Sequence, residues 1–197
     1  MHAQWLLGTT MSDCQHIGSQ GKQIAIGDEN TIHFAWTNTY GSGESHTVYA
    51  CWQGGDILGG NSVDNTGLSK YGTVDVLNGD DIYPFAAVVA FHQQSHTGFI
   101  TSVAHDYGPC WQAFLPFNHP SVPEWDDDQP LYPHMAIDIN NKAHVLATRG
   151  IDNTVWYDAT SLIEWDTLSW LELPVSSMTV SAVPVSSEFD GRVALLA

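Results

Sequence analysis

Basic side chains are scarce. Five lysines and arginines stand against 22 acidic residues, a formal net charge of −17 over 197 residues. So few cations cannot replace the counterions of a phosphate backbone, which excludes nucleic acid as a partner. Adhesion to an anionic membrane surface is excluded for the same reason. Charge of either sign is low, at 14% of residues. The chain is therefore neither a disordered polyelectrolyte nor a set of long solvated helices. No run of 18 or more apolar residues occurs, so no membrane-spanning helix is expected. Met1-His2-Ala3-Gln4-Trp5 lacks the basic start and apolar core of a secretory signal.

Cysteine is sparse and odd in number: Cys14, Cys51 and Cys110. No CxxC is present, so neither a zinc ribbon nor a thioredoxin-type pair is expected. The default expectation is cysteines buried as small hydrophobes. A Cys14–Cys51 bridge is conceivable but nothing in the sequence supports it. HExxH, GxSxG, a Walker loop and GxGxxG are all missing.

What the chain does contain is strand and turn material: 8 Trp, 7 Tyr, 7 Phe, 17 Gly and 9 Pro. This mix suits many short strands joined by tight turns. The stretch IAIGDENTIHFAW (residues 24–36) reads as a hairpin and returns without a gap as MAIDINNKAHVLA (residues 135–147), with His33 falling on His144. Strands are expected at Trp5–Gly8, Ile24–Ile26, Ile32–Trp36 and Thr47–Trp52, with Gly54-Gly55 and Gly59-Gly60 read as turn. A second group is Thr73–Leu77, Ala86–Phe91, Gly98–Val103 and Trp111–Phe114. A third is His134–Asp138, Ala143–Thr148, Thr154–Asp158 and Trp170–Leu173. Thr179–Val185 and Arg192–Ala197 begin a fourth.

Phe34, Val89, Val145 and Leu195 hold equivalent places, 55, 56 and 50 residues apart. Periods of this length with about four strands each mark β-propeller blades. A β-sandwich also spaces short strands evenly, but does not require one hairpin to recur with its turn chemistry intact. The expectation is an all-β fold. It is a single incomplete propeller over residues 1–197, with units at about 20–69, 70–130, 131–177 and 178–197. Three to four blades make no closed ring, so a fragment of a six- or seven-bladed propeller is expected, with its secretion signal missing. Strands packed on both faces by neighbouring blades should read as continuous small or β-branched runs, as Ile24–Ile26, Ala86–Phe91 and Arg192–Ala197 do.

The segments IAIGDENTIHFAWTN with HTVYACW, YGTVDVL with AAVVAFHQ, and YPHMAIDINNKAHVLATRG with NTVWYDA resemble the sialidase-like, BNR-type propellers of large secreted bacterial proteins. The resemblance covers about residues 20–197 and implies an extracellular or cell-surface propeller. Sialidases carry Asp-boxes of the form S-x-D-x-G-x-x-W; Ser62-Val63-Asp64-Asn65-Thr66-Gly67 has one residue too many and no Trp. They also use three arginines, and this chain has only Arg149 and Arg192. Both departures count against sialidase activity.

Ten histidines invite a metal reading, but His92 and His96 follow a strand and lie on no helix. His33 and His144 share a repeat position, which points to one structural imidazole per blade held by a neighbouring backbone group. Asp126, Asp127 and Asp128 are the single Ca²⁺ candidate, without the spaced pattern of a calcium loop; a solvated acidic loop is the stronger reading. No other cofactor is expected. Asp28/Glu29, Asp80/Asp81 and Asp138 sit at hairpin turns and are explained by turn chemistry. Among the aromatics Trp36, Trp52, Trp111, Trp125, Trp156 and Trp165, the connector residue Trp125 is the best exposed sugar platform. Trp125, Tyr132 and Arg149 form the expected ligand-contact set. The function expected is a non-catalytic binding or scaffolding module of a larger secreted protein, contacting a glycan, an extracellular protein or the rest of its own polypeptide. The alternatives are a sialidase-like or other glycoside hydrolase whose catalytic residues lie outside this segment, and a structural spacer.

Overall fold

The computed structural model describes residues 6, 7, 9, 10, 21–27, 30–64, 68–79, 83–94, 98–116, 129–149, 154–161, 171–176, 183–186 and 193–196. Among them there is no helix. Sheet 1 holds β1 (Ile24–Ile26), β2 (Thr31–Thr39), β3 (Ser45–Gln53) and β4 (Asp56–Ser62). Sheet 2 holds β5 (Ser69–Val76), β6 (Ala87–Gln94), β7 (Phe99–Asp106) and β8 (Phe114–Pro116). Sheet 3 holds β9 (Leu131–Ile137), β10 (Lys142–Thr148), β11 (Thr154–Ser161) and β12 (Leu171–Ser176). A further hairpin pairs β13 (Val183–Ser186) with β14 (Val193–Leu196). Every pairing is antiparallel between neighbours in sequence, so each sheet is a simple meander.

The first hairpin of each sheet is built the same way. Its closing backbone bond runs from Gly27 to Thr31 at 3.1 Å, from Leu77 to Ala86 at 3.0 Å and from Asp138 to Lys142 at 3.0 Å. A residue one or two positions before the second strand lies in the left-handed region: Asn30 (φ 66°), Phe85 (φ 56°) and Asn141 (φ 58°). Asparagine tolerates this conformation because its short amide bonds locally. Phe85 does so at a steric cost. Tyr71 and Tyr132, at equivalent bulges near the start of β5 and β9, share φ values of 57° and 58°. The period read from the sequence is therefore a period of backbone geometry.

Alternation along each strand sorts its side chains between two neighbours. On sheet 2, Val74, Ala87, Val89, Phe91 and Ala104 pack against Ala25, Ala35, Tyr49, Cys51 and Val63 of sheet 1 and the loop following it. The other face of sheet 2, with Val88, Ala90 and Val103, packs against Met135, Ile137, Ala143 and Val145 of sheet 3. β6 is consequently buried from Ala87 to Gln93, as its apolar run foretold. Polar bonds align the layers. Val74 N–H donates to Lys22 C=O at 2.7 Å, Tyr71 N–H to Thr37 Oγ1 at 3.0 Å, and Ile137 N–H to Asp75 Oδ2 at 3.0 Å. Asn78 N–H donates to Asn141 Oδ1 at 2.6 Å.

Several expectations are corrected. Gly59 and Gly60 do not turn the chain: they lie inside β4 with φ of 112° and 92°. A Cβ on Gly59 would stand 2.8 Å from the Tyr49 carbonyl oxygen, so close backbone approach is what requires glycine there. The last strand of sheet 2 starts at Phe114, not Trp111. Leu6 and Leu7 are not in a strand, and Trp5 and Gly8 lie outside the described residues. In β1 only Ala25 is buried, because no described sheet covers that side of sheet 1. Cys51 bonds to Cys110 rather than to Cys14. The partner is distant in sequence, 59 residues away, but its Cα lies 5.5 Å off because sheet 2 packs directly on sheet 1.

Candidate functional site

The repeated histidines are held by tyrosines, not by backbone groups as expected. His33 Nδ1 shares a hydrogen bond with Tyr49 Oη at 2.6 Å, and His144 Nδ1 with Tyr157 Oη at 2.7 Å. In each pair the rings stack at 6.0 Å. The register explains it. Tyr49 lies opposite Ala35 and Tyr157 opposite Leu146, each two residues along from its histidine, so imidazole and phenol meet diagonally. Sheet 2 has Val88 at this place. The second nitrogen of His33 reaches Thr31 Oγ1 at 3.1 Å, while His144 Nε2 donates to Asp138 Oδ2 at 3.1 Å.

Tyr157, His144 and Asp138 thus form a chain with the connectivity of an activated nucleophile. The same pair in sheet 1 is fully buried and has threonine in the place of the carboxylate, which identifies it as packing. Burial pushes His33 down to about 4, so it stays neutral. Burial also raises the Tyr49 and Tyr157 phenols. Asp138 is engaged as a turn residue. Its Oδ1 accepts Asn140 N–H at 2.8 Å and Lys142 N–H at 2.9 Å. Burial works to raise this carboxyl, but the bonds from Lys142, His144 and Asn140 outweigh it and hold it below the usual carboxylate range. Asp64 is occupied likewise by Ser69 and His46.

His33, Cys51 and Cys110 are a buried group whose ligand atoms lie within 4.8 Å of one another. The Cys51–Cys110 disulfide engages both sulfurs, and a thiolate pair is what a metal would need there.

A concave surface of about 750 Å³ runs along the first strands of the three sheets. Ile26 of β1, Asp75 of β5 and Ile137 of β9 border it, with Asn78 and Phe85 from the β5–β6 turn. Among the described residues an ion pair on it joins Lys22 Nζ to Asp75 Oδ1 at 2.6 Å, with the lysine half-exposed.

The most exposed aromatic side chain among the described residues is Trp111, at 68%. It sits in the loop from β7 to β8 between two residues with left-handed backbone, Cys110 (φ 62°) and Gln112 (φ 60°). Four constraints hold that loop. Tyr107 N–H donates to Ala113 C=O at 3.2 Å and closes its base. Asp106 accepts Gln112 N–H at 2.7 Å and Ala113 N–H at 2.9 Å. Cys110 is tied to β3 by the disulfide, and Gln112 Oε1 accepts Asn61 Nδ2 of β4 at 2.6 Å. Burial raises the Asp106 carboxyl, against the pull of the loop N–H groups it accepts. The indole packs back over Gly108, where a Cβ would stand 2.8 Å from its ring. Tyr107 and Leu58 are exposed nearby in sequence or on β4. Backbone strain of about 1–3 kcal/mol per left-handed bulky residue persists only where the surroundings over-determine it, and such sites concentrate at functional loops.

Of the expected contact residues, Trp125 lies outside the described residues, as do the Ca²⁺ candidates Asp126, Asp127 and Asp128. Tyr132 is half-buried, its ring 4.8 Å from Tyr71 and 5.6 Å from His92 in a cluster between sheets 2 and 3. Arg149 follows Thr148, which pairs with Leu131, so Arg149 and Tyr132 sit at the same end of sheet 3. Trp111 was named among the aromatics, but its exposure comes from a long-range disulfide and carboxylate bracing that no local pattern carries. Compared with known proteins, the chain matches no family model and no curated protein.

Proposed function

We propose that this chain is a non-catalytic, extracellular β-propeller module that binds neutral glycans through Trp111. The carrying observation is the exposed indole on a loop pinned at both flanks by a disulfide, a carboxylate and an amide pair. An aromatic face fixed in this way stacks on the apolar face of a sugar ring at little entropic cost. The amides of Asn61 and Gln112 lie beside it and suit hydroxyl groups. A net charge of −17 disfavours acidic glycans.

Propeller blades are the reading of the meanders because the three sheets stack face to face in sequence order, with their first strands along one common cleft. The disulfide supports an oxidising, extracellular setting. The carboxylates Asp64, Asp106 and Asp138 each accept structural hydrogen bonds, which supports binding over hydrolysis.

A glycan array with the whole chain tests this reading. Binding to neutral oligosaccharides is expected. Trp111→Ala should weaken it at least about tenfold, the loss of roughly 1.4 kcal/mol of stacking, with an unchanged far-UV spectrum. Silence on every glycan, or binding indifferent to Trp111→Ala, would overturn it.

A further inference from the structure

We infer that, once its disulfide is opened by a reductant, the chain holds a zinc ion between Cys51, Cys110 and His33. Cys51 lies opposite His33 in the β2–β3 register, so the two side chains share the face of sheet 1 that packs on sheet 2. Cys110 reaches that face from the β7–β8 loop. All three are buried, and their ligand atoms lie within 4.8 Å of one another. Zn–S bonds of about 2.3 Å and Zn–N bonds of about 2.0 Å set tetrahedral ligand atoms about 3.5–3.8 Å apart, inside that span.

Packing does not require this combination. Sheet 3 keeps the histidine–tyrosine pair, but its His144 lies opposite Ala159. A cross-link between two sheets, for its part, needs no imidazole beside it. Charge selects the ion. Two thiolates and a neutral imidazole around Zn²⁺ sum to zero, whereas around Cu⁺ they leave a negative charge buried in a chain already at −17. Tyr49 Oη and Thr31 Oγ1 each hold one nitrogen of His33, at 2.6 and 3.1 Å. Whichever nitrogen takes the metal, the hydroxyl on the other keeps the ring oriented. Zinc with three protein ligands leaves its fourth position to a water or a hydroxyl.

The β7–β8 loop does not depend on the disulfide alone. Asp106 accepts the N–H groups of Gln112 and Ala113, and Gln112 bonds Asn61 of β4. Cys110 therefore stays beside Cys51 when the S–S bond opens. A trialkylphosphine and one water supply that step: the S–S bond breaks, phosphorus takes the water's oxygen, and each sulfur takes a proton. Zn²⁺ then displaces both protons. The site rests on neither the propeller nor the glycan reading.

Native mass spectrometry of the whole chain, oxidised or reduced with the phosphine and titrated with Zn²⁺, tests the inference. One ion per reduced chain is expected, with binding to the oxidised chain at least about tenfold weaker. Co²⁺ in place of Zn²⁺ should give a thiolate-to-cobalt charge-transfer band. Cys51→Ser, Cys110→Ser and His33→Gln should each weaken zinc binding at least about tenfold, and Cys14→Ser should leave it unchanged. Equal losses in Cys14→Ser and Cys110→Ser would mean capture by an unfolded chain and would overturn the inference. A reduced chain that takes no zinc, an oxidised chain that binds it equally well, or binding indifferent to His33→Gln would overturn it too.

Discussion

Tyr49 and Tyr157 perform one task at two depths. Both hold the imidazole of the preceding strand, but Tyr49 is fully buried while Tyr157 is only half-buried. Removing the Tyr49 hydroxyl leaves His33 Nδ1 without its bond, away from water. A buried unsatisfied group costs about 1–3 kcal/mol, whereas water can replace a partner lost near the surface. Tyr49→Phe should therefore destabilise the chain by roughly 2 kcal/mol, and Tyr157→Phe by about 0.5 kcal/mol. Urea unfolding of the two variants measures the gap; equal losses would contradict the burial argument. The equivalence of His33 and His144 was legible from the sequence, since a period is a property of order. Their partners were not. A diagonal contact depends on register, and neither tyrosine shares a fixed offset from its histidine: 16 residues separate one pair and 13 the other.

Strands and hairpins are where the sequence spoke most clearly. The apolar runs of β2, β3, β6 and β10 give their positions to within a few residues, because one or both faces of each are buried. Gly59-Gly60 misled because glycine marks both a turn and a backbone too close to its neighbour for a Cβ. Cysteine pairing was not legible for a different reason. Proximity of Cys51 and Cys110 arises only once two sheets have stacked. That cross-link joins β3 to the β7–β8 loop over 59 residues. Closing a loop of this length lowers the entropy of the unfolded chain enough to stabilise the fold by about 4 kcal/mol. The double variant Cys51→Ala/Cys110→Ala should lose about this much in denaturant unfolding. It should also weaken glycan binding, since Cys110 adjoins Trp111. A loss below about 1 kcal/mol would mean that packing alone holds sheets 1 and 2 in register.

Over the whole molecule, acid acts in two opposing directions. Protonating the surface relieves the repulsion of a −17 chain and favours the compact state. The buried imidazoles oppose this. Burial pushes His33 and His92 down to about 4, and Lys70 adds to the shift of His92, which lies against Tyr71, Phe99 and Tyr132. In the unfolded chain both titrate at the ordinary 6.5. Above that value both states are neutral and neither imidazole contributes to the pH dependence. Between 6.5 and 4 the unfolded state binds more protons, so stability falls as pH falls. The loss reaches roughly 3 kcal/mol per imidazole near pH 4 and levels off below. Asp106, raised by burial, works the other way, because protonating it relieves the cost of a buried charge. The surface and Asp106 terms are common to the wild type and a His92→Gln variant, so their difference isolates one imidazole. The wild type should lose about 3 kcal/mol more than His92→Gln between neutral pH and pH 4. Chemical denaturation at a series of pH values measures this, and parallel curves for the two proteins would show that His92 is not held neutral in the fold.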